Sequence, residues 1–405
     1  MIKAAVLGYG NIGSGVVQVL SMNKECIKKT AGQEIEVKYV LDLREFPGDP
    51  MENKVVHDIN QIIEDSEIQI VVETMGGTKP AYDFVKACLE AGKSVATSNK
   101  ELVAKHGAEL MRIAEEKQIN FLFEASVGGG IPIIRPLNQC ITSDEVYEIT
   151  GILNGTTNYM LTNMAKKGMT FDAILKKAQE LGYAERHPEA DIEGFDACRK
   201  IAILSSLAFG AQVDYEDIHT EGITTISDVD MKYALKLEKA IKLFGTSKKI
   251  DNKIYAMVSP VMVGEEHPLY GVNGVMNGIL VRGDVIGDLM FYGAGAGKLP
   301  TASAVVADVV EAAKNLNRTV MRRWSEKKLQ LECFESAKNA FFVRISGEAQ
   351  NRQEELEAVF GSLDIVKADG VDGEFAILTK EMTEAEYIEK AGKVTGILNR
   401  IRLAK

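Results

Sequence analysis

Between Leu181 and Lys200 the chain reads LGYAERHPEADIEGFDACRK, a stretch that carries five acidic residues, Glu185, Glu189, Asp191, Glu193 and Asp196, and ends in a lysine. Carboxylates at this density suit a substrate bearing an ammonium or hydroxyl group, and a lysine beside them can pass a proton to or from an oxygen. Asp196 and Lys200 are four residues apart, so on a helix they share one face. The run that follows, IAILSSLAF from Ile201 to Phe209, is apolar on every side and makes a buried helix. The pair therefore opens a core helix and points inward or into a cleft. An ordinary ion pair at a helix start has the same spacing, so this stretch alone leaves both readings open.

A second constellation lies at the start of the chain. Lys3 to Leu7 is a short apolar run that leads directly into Gly8-Tyr9-Gly10-Asn11-Ile12-Gly13, and Ser14 to Leu20 follows with helical spacing. Strand, GxGxxG and helix in that order are what a dinucleotide site needs. Glycine serves the tight turn, the close backbone approach to a pyrophosphate and the helix packing, with the phosphates at the helix N-terminus. Gly8, Gly10, Asn11, Ile12 and Gly13 are the candidates. The next strand, Glu36 to Leu41, ends at Asp42-Leu43-Arg44, where such folds recognise the adenosine ribose. The acid suits a free 2′-hydroxyl and the arginine a 2′-phosphate; the reading leans to NADP through Arg44. Asp42 falls farther beyond Gly13 than the usual ~20 residues, which predicts a long first helix and loop.

The elements that position these groups alternate. Ile68 to Glu73 is a buried strand closed by Thr74, Pro80 to Ala91 a helix, Ser94 to Thr97 the next strand and Asn120 to Glu124 another, which predicts a doubly wound parallel sheet. Ligands bind beyond the carboxyl ends of such strands, where Thr74, Ser98 and Lys100 fall. A cation is poorly placed at a helix start, so Lys100 is a second candidate cationic group. Ala125 to Ile131, ASVGGGI, reads as a crossover that is neither helix nor strand. Longer strands then predict a mixed or antiparallel sheet: Glu145 to Thr150, Ile254 to Val263, Gly278 to Val281 and Val285 to Tyr292. Helices within residues 156–210 cover it. Asn154-Gly155-Thr156-Thr157-Asn158 is either an N-cap and turn or, beside an acidic pocket, a set of groups that orients a polar substrate. Gly293 to Gly297 is a further glycine-rich helix entrance, and Asn315 to Lys328 reads as a linker. The remainder spells βαββαβ, a small separate domain.

Composition narrows the function. With 405 residues, 46% hydrophobic and 26% charged, the chain suits two or three globular domains, and a net charge of −11 excludes a general electrostatic footprint for nucleic acid or an anionic membrane. The five cysteines are widely spaced, mostly flanked by apolar or helical sequence, and form no CxxC, which reads as reduced, buried thiols in a cytoplasmic protein. No signal peptide or membrane span is expected. HExxH and GxSxG do not occur, so zinc hydrolysis and a serine triad have no motif behind them.

GYGNIG, TSNK, NGTTNY, LGYAE followed by DIEGFDACRK, and GAGAGKLPTASAVVAD, in that order over residues 1 to about 312, resemble homoserine dehydrogenase. The resemblance implies interconversion of L-homoserine and L-aspartate 4-semialdehyde with NAD or NADP, in threonine, methionine and isoleucine biosynthesis. It implies Lys200 as proton donor or acceptor, with Lys100 close to substrate and nicotinamide. Glu185 and Asp196 would hold the substrate, Tyr183 and Asp191 would line its pocket, and Thr156 lies in the NGTTNY motif beside them. Gly182 and Gly297 would lie near the cofactor. Backbone oxygens of Glu124, Val127, Gly129 and Ile131 would hold a structural sodium ion. Ala294 stands where many relatives have proline. The final βαββαβ looks like an ACT domain, which in this family often implies feedback by L-threonine; Ser346 to Asn351 lacks the Pro-Gly turn usual there, which leaves a structural or dimerising role as the alternative. A homodimer or homotetramer is expected.

The resulting expectation is an α/β chain: a Rossmann domain over residues 1–130, an α+β catalytic and oligomerisation domain with a mixed sheet over 131–320, and an ACT-like domain over 338–405. The alternatives are a dehydrogenase of a related hydroxy amino acid, and an NAD(P)-binding amino-acid sensor without catalysis.

Overall fold

The computed structural model describes residues 1–404. The chain forms two compact units, each assembled from separated stretches. The first takes Met1–Glu145, Ala202–Tyr215 and Gly293–Leu329, and the second takes Val146–Ile201, Glu216–Tyr292 and Gln330 onward.

The first unit is built on a six-stranded sheet of β1 (Ile2–Leu7), β2 (Ile35–Leu41), β3 (Val55–Val56), β4 (Ile68–Glu73), β5 (Ser94–Thr97) and β6 (Phe121–Leu122). Its strand order is β3-β2-β1-β4-β5-β6 and every pairing is parallel. The central strands IKAAVL and IQIVVE are buried on both faces, which is why they read as continuous apolar runs and not as alternations. The order reverses between β1 and β4, and a sheet of this kind opens its ligand crevice there. The long connection expected after Gly13 is two helices, Asn11–Met22 and Lys24–Ala31, the second stopped by Gly32.

Two expectations for this unit change. Ala125 to Ile131 contains a one-turn helix, Ala125–Gly128; its glycines sit at the end of that turn. Residues 315–328 are not a linker. Asn120 Nδ2 donates to the carbonyls of Asn315 and Arg318, Trp324 is 1% exposed with its Nε1 donating to Gln212 Oε1, and Ser325–Lys328 pairs with Ala211–Gln212. The polar composition hid one tryptophan, whose burial anchors the segment to the unit.

The second unit carries an eleven-stranded sheet. Its path uses β7 (Val146–Ile152), β8 (Ala240–Ile250), β9 (Lys253–Val263), β10 (Met276–Gly283), β11 (Gly287–Ala294), β12 (Lys338–Ser346), β13 (Leu363–Val366), β14 (Glu374–Thr379) and β15 (Ile397–Leu403). The order is β11-β10-β7-β8-β9-β15-β12-β14-β13. The last four form the βαββαβ region, an antiparallel sheet in the local order 4-1-3-2. Phe341, Val343 and Ile345 of β12 pack on helix residues Leu356, Phe360 and Tyr387. Phe342 and Arg344 face the other way, as a period of two requires, toward Tyr233 and Asp230. This region is not a loose appendage. β15 runs parallel to β9, and Arg402, 3% exposed, is held between Glu221 and Glu384. Such an ion-pair set is costly to break from one side.

All five cysteines are free thiols; Cys88 and Cys198 are buried, whereas Cys26, Cys140 and Cys333 are exposed, against the expectation of buried thiols. Among the described residues no helix is long and apolar enough to cross a membrane.

Candidate active site

In the first unit the candidate dinucleotide residues collect at the carboxyl ends of β1, β2, β4 and β5. Gly8 has φ +89° and leads into Gly10, which precedes the first turn of Asn11–Met22. Among the described residues no side chain caps that helix, and a Cβ built on Gly10 meets no atom within 4 Å. Backbone N–H groups with open space in front of them suit a pyrophosphate. Gly13 does the opposite: a Cβ there would lie 1.9 Å from the Gly8 carbonyl oxygen, so only glycine lets strand and helix meet. Thr74 Oγ1 donates toward the Gly8 and Leu7 carbonyls at 2.9 and 3.2 Å, closing the turn across from β4.

Asp42, at the end of β2, accepts the Tyr9 N–H at 2.8 Å and a two-point contact from the Arg44 guanidinium, Nε at 2.9 Å and Nη2 at 2.9 Å. The arginine holds the Asp42 carboxyl well below the usual carboxylate range. Arg44 also lies over the Phe46 ring and stays largely exposed. Acid and arginine thus form one ion pair at the end of β2.

Glu73 was missed by the sequence reading. It is fully buried at the end of β4, where it accepts from Thr97 Oγ1 at 2.5 Å and from the N–H groups of Met75 and Gly76 at 2.7 and 3.2 Å. Burial raises its carboxyl, opposed by those donors. It ties the turn after β4 to β5 and so shapes the loops bearing Thr74 and Ser98. The available signal was a lone acid ending an apolar strand. Lys100 opens the helix Lys100–Glu116, whose N-cap Asn99 accepts from Leu102 N.

The glycine-rich segments 128–131 and 293–297 meet within this unit. Gly130 N donates to the Ala294 carbonyl at 3.0 Å, and a Cβ on Gly129 would lie 2.3 Å from the Gly295 oxygen. Gly297, with φ +116°, precedes the helix Lys298–Lys314. The Glu124 carboxylate accepts three N–H groups, from Ile133, Ile134 and Arg135, while Asp308 accepts the Glu124 N–H and pairs with Arg135. Complete burial pushes the Asp308 carboxyl up to about 7.

In the second unit the helix Phe195–Phe209 begins with Asp196 and Lys200, 4% and 9% exposed. Lys200 Nζ donates to Asp196 Oδ2 and to the Leu153 carbonyl, both at 2.8 Å. Asp191, on the short helix Glu189–Ile192, joins them through Asn154, whose Nδ2 donates to Asp191 Oδ1 and Asp196 Oδ2, again at 2.8 Å. Burial pushes the Asp191 carboxyl up, the Asp196 charge adds to this, and the Asn154 amide opposes it. Thr156 Oγ1 donates to the Tyr183 carbonyl at 2.6 Å, and the Tyr183 ring lies 4.9 Å from that of Tyr159. Glu185 is exposed; its carbonyl accepts from Gln179 Nε2, and among the described residues no hydrogen bond joins its carboxylate to this cluster. Gly182, with φ +74°, directs the turn that carries Tyr183. A further buried lysine, Lys242, had no signal in the sequence. Its Nζ donates to the Val272 carbonyl and to Asn273 Oδ1, and burial pushes it down to about 8. It pins a loop onto the helix that starts at Gly155, where Asn158 Nδ2 donates to the Val272 and Met276 carbonyls.

A glycine turn opening a doubly wound sheet, and separately a lysine hydrogen-bonded to a buried carboxylate with a second carboxylate beside it, are together the equipment of a nicotinamide-dependent oxidoreductase acting on a small polar substrate. Comparison with known proteins makes this specific. Residues 132–310 match the family model for homoserine dehydrogenase, and residues 8–124 match that for the homoserine dehydrogenase NAD-binding domain. The homoserine dehydrogenase of Lactococcus lactis is 42% identical over 77% of this chain and 74% of its own length, and that of Helicobacter pylori 42% identical over 85% and 81%. The crystal structure of a homoserine dehydrogenase from Thiobacillus denitrificans superposes with a TM-score of 0.90 at 35% identity, covering 100% of this chain and 98% of that one. A hyperthermophilic archaeal homoserine dehydrogenase solved in complex with NADPH gives a TM-score of 0.67 at 26% identity, over 77% of this chain and 97% of that one. The chain belongs to the homoserine dehydrogenase family. It interconverts L-homoserine and L-aspartate 4-semialdehyde with a nicotinamide dinucleotide.

Proposed function

We propose that Lys200 carries the proton of this reaction. In reduction its ammonium donates to the aldehyde oxygen, and in oxidation its amine takes the proton from the homoserine hydroxyl. Asp196, Asp191 and Glu185 hold the ammonium and hydroxyl ends of the substrate, Tyr183 and Thr156 line the pocket, and Lys100 is a second cation toward substrate and nicotinamide. The bound dinucleotide supplies or accepts the hydride. The observation that carries this reading is the Lys200 ammonium held at 2.8 Å by both a carboxylate and a carbonyl, which aims its remaining N–H outward from that pair.

The dinucleotide is taken by Gly8, Gly10, Asn11, Ile12 and Gly13 through backbone N–H groups, with Thr74, Ser98, Gly182 and Gly297 around it and Arg44 toward a 2′-phosphate. What supports NADP is the exposed Arg44 guanidinium. Backbone oxygens of Glu124, Val127, Gly129 and Ile131 make a hard, all-oxygen donor set suited to a sodium ion, and the buried carboxylates Glu124 and Asp308 outnumber Arg135 beside it. The βαββαβ region is taken as an ACT-like module with L-threonine as effector; its 4-1-3-2 antiparallel order supports that. A homodimer or homotetramer in the cytoplasm completes the reading.

The test is the absorbance of reduced dinucleotide on adding L-homoserine. Lys200→Ala is expected to lose about 10²- to 10⁴-fold in turnover with NADPH affinity kept. Near-normal turnover in that variant rejects the proton-transfer role.

A further inference from the structure

We propose that Asn154 is a positioning residue of the reaction, a single carboxamide that sets the geometry of Asp191 and Asp196 and, through Asp196, of Lys200. The inference rests on the roles just given to those three groups. Asn154 is 6% exposed and sits where β7 turns into the helix Gly155–Lys167. Its amide has one sensible orientation. Oδ1 accepts from Thr157 N at 2.9 Å and from Thr157 Oγ1 at 3.0 Å, so reversing it would set donor against donor. Nδ2 therefore faces the acids, one hydrogen for each, at 2.8 Å.

The same turn supplies the rest of the clamp. The Leu153 carbonyl, one residue earlier, accepts a second hydrogen of Lys200, and Asp196 Oδ2 accepts a first. Two of the three ammonium hydrogens are thereby directed by one dipeptide and the acid it orients, which leaves the third for the substrate oxygen. The charged groups facing this point are Lys200 and Asp196 on Phe195–Phe209 and Asp191 on Glu189–Ile192. Glu189 and Glu193 flank Asp191, and Glu185 lies on the loop before it. A buried and a half-buried carboxylate this close disfavour joint ionisation, and a neutral donor shared between them offsets that repulsion without adding a cation that would compete for the substrate's place.

Asn154→Ser in the full-length enzyme separates this role from helix capping, because serine still accepts from the Thr157 N–H but donates nothing to the two acids. At neutral pH kcat/KM for L-homoserine is expected to fall about 100-fold, mainly in kcat. The acid limb of its pH profile should move to higher pH, while NADPH affinity and Tm hold. Asn154→Asp, which caps equally well and replaces the donor with a third carboxylate, should lose more and shift further. If Asn154→Ser loosens the helix, seen as a lower Tm, the Asn154→Asp profile decides; an unshifted acid limb there overturns the proposal. So does wild-type kcat/KM with an unshifted limb in Asn154→Ser. Lys200→Ala in the same series keeps the two ideas apart. Surviving turnover in it rejects the proton-transfer reading, whereas lost turnover in it beside a wild-type Asn154→Ser profile rejects only the role of Asn154.

Discussion

The two sites of this chain are made of different material. The dinucleotide turn of the first unit is backbone: Gly8, Gly10 and Gly13 contribute N–H groups and the absence of side chains. The lysine and carboxylate cluster of the second unit is built mainly of side chains, with Asn154 as the shared donor and the Leu153 carbonyl as its main-chain contact to Lys200. A backbone site is limited by sterics and is indifferent to pH. A charged, buried site is limited by protonation and by the alignment of long side chains.

The largest effect expected from that contrast is Gly13→Val. Its side chain would meet the Gly8 backbone, where even a Cβ stands 1.9 Å from the oxygen, and overpacking of this kind costs roughly 3 kcal/mol. NADPH affinity, read by fluorescence titration, should fall about 100-fold by the same factor from pH 6 to 9. A pH-dependent loss would break the contrast.

Asp191→Asn is next. Burial and the Asp196 charge hold the Asp191 carboxyl above its ordinary range, so the wild-type enzyme should lose kcat/KM as pH falls through that raised value. The amide removes both the titrating group and the repulsion on Asp196. The acid limb should therefore move to lower pH, while kcat/KM at neutral pH drops about 10-fold for loss of one charged contact. An acid limb that stays in place would show that Asp191 does not govern it.

Arg44→Ala sharpens the comparison from the first unit, where it removes an exposed charge beside the backbone turn. NADPH affinity should weaken about five-fold, as suits an exposed ion pair, with NADH nearly unchanged and the difference shrinking at high salt. Equal losses for both dinucleotides would take Arg44 out of cofactor choice.

Local signals were readable because their physics is local. GYGNIG after an apolar run, LGYAE and the apolar IAILSSLAF each state a turn, a charge or a burial that neighbouring residues decide. The segment 315–328 was misread because ten polar neighbours outweigh one tryptophan in composition, whereas in the fold Trp324 lies buried against Phe123. Glu73 was legible only as an acid ending a strand.

The sequence by itself determined the parallel sheet, the glycine turn, the helix that carries Asp196 and Lys200, and the family to which these motifs point. The tertiary structure decided which of five nearby carboxylates meet. Asp191 and Asp196 do, through an amide 37 and 42 residues away. Spacing along a helix or strand reports neighbours within a few residues, but a hydrogen bond across that separation exists only once β7, its following helix and the helix Phe195–Phe209 have packed.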